Sequence, residues 1–64
     1  MLKELYGKHM TITTIDNTTF CGIVDDYIFP EDNEDTKESI VLKINNSEFI
    51  EFKEYDIASV LINS

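Results

Sequence analysis

A chain of 64 residues, 42% of them apolar and 28% charged, is expected to form one globular domain, 1–64, with a core close to the smallest that holds a free-standing monomer together. Its net charge of −8, carried with five lysines and no arginine, argues against generic binding to nucleic acid or anionic membrane: phosphate contacts need cations, and the guanidinium fork that grips phosphate or guanine is missing. No apolar run approaches the roughly 18–20 residues that span a bilayer, and the first ten residues hold no signal-peptide apolar region, so a cytoplasmic protein is expected.

Residues 2–7, LKELYG, place Leu2, Leu5 and Tyr6 on one side of a short helical turn that Gly7 stops. The period then changes. Residues 10–15, MTITTI, are rich in β-branched side chains and lead into Asp16-Asn17, a pair that tolerates the left-handed backbone of a tight hairpin. The second strand, TTFCGIVDDYIF, alternates Phe20, Gly22 and Val24 against Cys21, Ile23 and Tyr27. Gly22 marks a bend or a close backbone approach.

Pro30 and the polar run Glu31–Lys37 end that pairing, because proline donates nothing to a ladder. Residues 39–44, SIVLKI, put Ile40, Leu42 and Ile44 on one face, and Asn45-Asn46-Ser47 turn the chain. EFIEFK follows as a fourth strand with Ile50 and Phe52 together. After EYD, the fifth strand IASVLI sets Ile57, Ser59 and Leu61 opposite Ala58, Val60 and Ile62. The expected fold is mostly β: a short N-terminal helix, then five strands in a strongly bent antiparallel sheet closed into a small barrel.

The charge is local. Seven of the thirteen carboxylates fall in residues 25–38 with one lysine, a net of −6 there and −2 over the rest of the chain. Such a run reads as a solvated connection that keeps sheet edges apart, or as a docking loop for a basic protein, with Tyr27 and Phe29 as anchors and Glu31, Asp32, Asn33 and Glu34 supplying charge and hydrogen bonds. Asp32, Glu34, Thr36 and Glu38 alternate as oxygen side chains, but the Gly and Glu of a calcium-binding EF-hand loop are absent from their places. No metal or cofactor is therefore assigned.

Enzymatic chemistry finds little support either. The lone Cys21 has only His9 as a possible base, and it lies in an apolar strand where a free thiol behaves as a small hydrophobe. No nucleophile–base pair, glycine-rich phosphate loop or metal-ligand spacing is present, so a non-enzymatic role is expected.

Two stretches resemble the Sm-like domain family. LYGKHMTITTIDNTTFCGIVDDY is similar to its first motif, with Leu5, Gly7, Lys8, Asp16, Phe20, Gly22 and Tyr27 at the pattern's positions, and FKEYDIASV is similar to its second, through Phe52, Lys53, Glu54, Ile57 and Val60. The loop sequence Y-x-x-P-E-D-N-E also resembles a small bacterial group within that family. The resemblance implies an Sm-like barrel that self-associates through its fourth and fifth strands, as a homo-oligomeric interaction or scaffold module. It also implies an alternative, an RNA-binding ring whose degenerate nucleotide pocket uses Tyr27, Asn33 and Lys53. Lys53 stands where the family has Arg, and Glu54 where it has Gly, which puts a negative charge beside that pocket.

Overall fold

In the computed structural model, residues 2–63 are described. A four-residue 3-10 turn, Leu2–Leu5, leads into β1 (His9–Thr14) and β2 (Thr19–Ile28). A second 3-10 turn, Pro30–Asp32, begins the acidic loop before β3 (Ser39–Asn45) and β4 (Glu48–Lys53), and a third, Glu54–Asp56, leads to β5 (Ile57–Ile62). All pairings are antiparallel, in one sheet of order β4-β3-β2-β1-β5.

The N-terminal turn is short because β1 is already tied to β2 just beyond it. Gly7 takes φ +81, a left-handed backbone, and donates its N–H to the Val24 carbonyl at 2.9 Å, while Val24 N–H returns to the Lys8 carbonyl at 3.0 Å. Asn17, at φ 70, makes the β1–β2 turn, where its expected tolerance of the left-handed region is used.

Met10, Ile12, Val24, Ile40, Leu42 and Phe52 form the buried core, with Leu2, Leu5, Phe20, Tyr27, Ile44, Ile50 and Ile57 packed around it. The alternation read from β3 and β4 is preserved. Two expected faces are not. Val24 pairs with Leu42 and Asp26 with Val41, so Asp25 is an extra residue in β2. That bulge turns Tyr27 from the face of Cys21 and Ile23 to the core side, opposite Ile40. In β5 the register shifts between Thr13 and Thr14, leaving Ala58 unopposed and placing Ile57 on the core side with Val60 and Ile62 instead of opposite them. Strict period-two alternation cannot anticipate a bulge, since one inserted residue inverts every face beyond it.

At Gly22 the backbones of β2 and β3 come close together. A Cβ there would collide with the Lys43 carbonyl oxygen and lie 3.2 Å from the Leu42 side chain, so only glycine lets β3 fold over β2 at this point. The bend brings the Phe20 ring on β2 to 5.2 Å from Phe52 on β4, edge to face, across the intervening strand. Curvature does not reach closure: among the described residues β4 pairs with β3 and β5 with β1, and the two outer strands are not joined to each other. The structure is a strongly bent open sheet, in which the core-side residues Val60 and Ile62 stay 39% and 49% exposed.

Candidate functional site

The acidic loop leaves β2 through Phe29, whose extended backbone (φ −65, ψ 150) precedes Pro30 at the first position of the 3-10 turn. Asp32 and Asn33 N–H groups close that turn onto the Phe29 and Pro30 carbonyls. Thr36 then takes φ 58, and its N–H bonds back to the Asn33 carbonyl at 3.1 Å. Local hydrogen bonds thus fold the loop on itself.

Side chains fasten it to the outer face of β3 and β4. Asn33 donates through Nδ2 to the Lys37 carbonyl at 2.7 Å and to Ser39 Oγ at 3.1 Å; the fully buried Ser39 hydroxyl donates to Glu51 Oε2 at 2.7 Å. Lys53 Nζ lies 3.6 Å from Asp35 Oδ2 and 3.7 Å from Glu51 Oε2. The Tyr55 hydroxyl, from the last 3-10 turn, donates to Asp35 Oδ2 at 2.8 Å, and the Lys37 N–H donates to Oδ1 at 3.1 Å. Those two donors, with the Lys53 charge, hold the Asp35 carboxyl below its ordinary range, and the Tyr55 phenol is raised by the same bond and by burial.

Asn33 and Lys53 are therefore brought together, through Ser39 and Glu51. Tyr27 is not with them: the bulge at Asp25 places it on the opposite face of the sheet. There its hydroxyl donates to Glu38 Oε1 at 2.8 Å, and the Leu2 N–H reaches the same oxygen at 3.2 Å. The bond to Glu38, burial, and the charges of Glu38, Glu31 and Glu4 push the Tyr27 phenol up to about 12. The three residues of the alternative RNA pocket thus do not line one pocket.

Glu31, Asp32 and Glu34 are exposed on the loop surface, whereas Glu38 is 7% exposed beneath Tyr27. Of the alternating oxygens, Asp32, Glu34 and Thr36 are thus exposed while Glu38 is buried. Among the described residues, no three His, Cys, Asp or Glu side chains are grouped to hold a metal ion, and no helix is long and apolar enough to cross a membrane. Cys21 is exposed, with its sulfur 3.4 Å from Thr11 Oγ1 and 3.7 Å from Asn63 Nδ2.

Two clefts flank these elements. One, of ≈ 350 Å³, is lined by Lys3, Tyr6, Asp26, Tyr27 and Phe29. The Phe29 ring stands edge-on to Tyr27 at 4.9 Å, and the Lys3 ammonium lies 5.5 Å from the Phe29 centroid. The other, of ≈ 420 Å³, has the Phe20 and Phe52 rings at its floor and Asp16, Glu51 and Asp56 at its rim, beside the β1–β2 turn. Asp16 is held below the ordinary carboxylate range by the Thr14 hydroxyl and by Thr18.

Sequence reasoning missed the Asp35–Tyr55 fastening and the part of Lys3 and Tyr6 in the first cleft. A tyrosine between two acids in "EYD" was the available signal for the former. Nothing in the spacing joins residues 3 and 6 to residue 29, because that contact arises from the N-terminal turn packing over β2 and β3.

No family model matches this chain, and no curated protein or solved structure matches it at a significant level.

Proposed function

We propose that this protein is a non-enzymatic interaction module that assembles with copies of itself through β4 and β5, and presents the acidic loop to a basic protein partner. The observation that carries this reading is the strand order. It leaves β4 and β5 as the sheet's two outer strands, each with one hydrogen-bonding edge not used within the described chain. Free edges seek a partner strand, and β5 carries no charge that would prevent it.

Exposure along β5 supports the same reading. Val60, Leu61 and Ile62 are 39%, 65% and 49% exposed, and Phe49 on β4 is 49% exposed. A neighbouring copy that laid its β4 along this β5 would cover those side chains and complete a barrel-like wall on both sides. Each copy would use a different edge on each side, so the contact is heterologous and gives a ring where the rotation closes. That assembly agrees with the Sm-like resemblance of the two sequence motifs, and gives a small core the buried area it lacks alone.

For the loop, Glu31, Asp32 and Glu34 at the surface and the neighbouring Phe29 supply steering charge and an apolar anchor. Lys53, the cation the RNA alternative relies on, already sits between Asp35 and Glu51. Its charge is offset before a phosphate could use it, which favours protein over RNA as the partner.

The test is the solution mass of the wild type beside Leu61→Glu, a change that sets a charge on β5 against Glu48 and Glu51 of an incoming β4. An assembled wild type and a dissociated, still folded variant are expected. A variant that assembles as the wild type does would contradict assembly through β5.

A further inference from the structure

The cleft lined by Lys3, Tyr6, Tyr27 and Phe29 lies beside the acidic loop and has its own chemistry. Tyr6 is 61% exposed and Phe29 43%, so two aromatic side chains reach solvent at the cleft. Tyr27 is fixed between them and the core by its bond to Glu38 and by its edge contact with Phe29. One side of the cleft already holds a cation: the Lys3 ammonium, 5.5 Å from the Phe29 ring centre. This distance lies within the range in which a ring's negative face attracts a positive group.

The surroundings are negative. Asp26 lines the cleft, and Glu4, Glu31 and Glu38 are near enough to raise the Tyr27 phenol. The loop that continues from Phe29 belongs to the segment of net −6. Exposed aromatic side chains in a negative field suit a cationic side chain, whereas a phosphate would be repelled. The Phe20–Phe52 cleft is a weaker candidate, because it opens beside the free margin of β4 that assembly would cover.

We propose that the Tyr6–Tyr27–Phe29 cleft anchors a lysine or arginine side chain from a basic partner segment, and that Lys3 is an internal occupant which the partner's cation displaces. This rests on the reading of the acidic loop as protein-facing and adds to it the side chain recognised and the place where it is held. Carboxylates on the loop would steer the basic segment, and the aromatic faces would fix one of its cations. Because Lys3 competes for the same ring, removing its charge strengthens binding.

The experiment follows the ring and amide resonances of the full-length protein by NMR at low salt, on titration with a capped Gly-Lys repeat peptide, its Gly-Arg counterpart and a short oligouridylate. Either basic peptide is expected to shift the Tyr6, Tyr27 and Phe29 ring resonances together with the amides of Glu31–Asp35. Phe29→Leu, which keeps the apolar bulk, should weaken peptide binding about three-fold or more, and Lys3→Gln should tighten it about three-fold, the scale of a surface cation–π contact. Lys8→Gln makes the same change in net charge away from the cleft and should have a smaller effect than Lys3→Gln. Peptide binding that moves the loop amides but not the rings, or that responds equally to Lys3→Gln and Lys8→Gln, would overturn the cleft while leaving the protein-facing loop intact. Silence of both peptides would overturn the cleft and the loop reading together, and oligouridylate shifting the same rings in their place would assign the cleft to RNA.

Discussion

The Tyr55 hydroxyl donates to the Asp35 carboxylate at 2.8 Å, joining the middle of the acidic loop to the turn that leads into β5. Lys53 reaches the same carboxylate oxygen at 3.6 Å, so one aspartate collects a neutral donor and a cation. A loop that carries many like charges is tied at this point to β4 and to the turn that precedes β5.

The fastening is pH-dependent, and its sign follows from the direction of the shift. Asp35 ionises at lower pH in the folded chain than when unfolded, so its contribution is fully present above the ordinary carboxylate range and is lost as pH falls through the folded value. Tyr55→Phe is expected to move the Asp35 titration upward and to speed amide exchange at Thr36 and Lys37, with global stability nearly unchanged. NMR titration of the aspartate carboxyl carbons, together with hydrogen exchange, checks both.

Tyr27 behaves in the opposite sense. Its phenol ionises at about 12 in the folded chain, above the usual value of about 10. The stabilisation is therefore present below the unfolded value and declines as pH rises through about 12. An alkaline NMR titration should find the Tyr27 ring ionising at about 12, and Glu38→Gln should bring that value down. A Tyr27 ring that titrates at the same pH in that variant would contradict the hydrogen bond as the cause.

Gly22 should not tolerate a side chain. In Gly22→Ala the new methyl group meets the Lys43 carbonyl, which is backbone and cannot swing aside, so a loss of roughly 1–3 kcal/mol is expected from forced displacement of β3. Leu42→Ala, which hollows the core at the next residue, should cost about 2–5 kcal/mol. Urea unfolding of the two variants gives the comparison; a neutral Gly22→Ala would mean that the Lys43 carbonyl does not press on Gly22.

If Lys53 is already neutralised by Asp35 and Glu51, short U-rich and A-rich RNA should bind weakly, and Lys53→Ala should change that little. Micromolar or tighter RNA binding abolished by Lys53→Ala would replace the protein-partner reading with the RNA one.

Much of the sheet was legible from local chemistry. β-branched runs, the Asp16-Asn17 turn and the alternation of Ile40, Leu42 and Ile44 depend on nearest neighbours, and each appears where its pattern places it. Tyr27 and Ile57 lie on the faces opposite to those that alternation predicts, because a single extra residue at Asp25 or Ala58 carries no composition of its own, yet reverses the sheet beyond it. Barrel closure is expected from five tightly connected strands in a small chain and from the Sm-like resemblance, and neither says whether the last pair of edges meets within one chain or between two. Of the candidate site, the acidic loop was visible as charge. Its separation of Tyr27 from Asn33 and Lys53 was not, since that depends on the same bulge.

The central claim is that β4 and β5 meet between copies of the chain. Light scattering on the purified wild-type protein at micromolar concentration tests it most directly: a mass of two or more chains of 7.4 kDa, falling toward one chain in Leu61→Glu, is the predicted result. A folded wild-type monomer of 7.4 kDa under those conditions would contradict it.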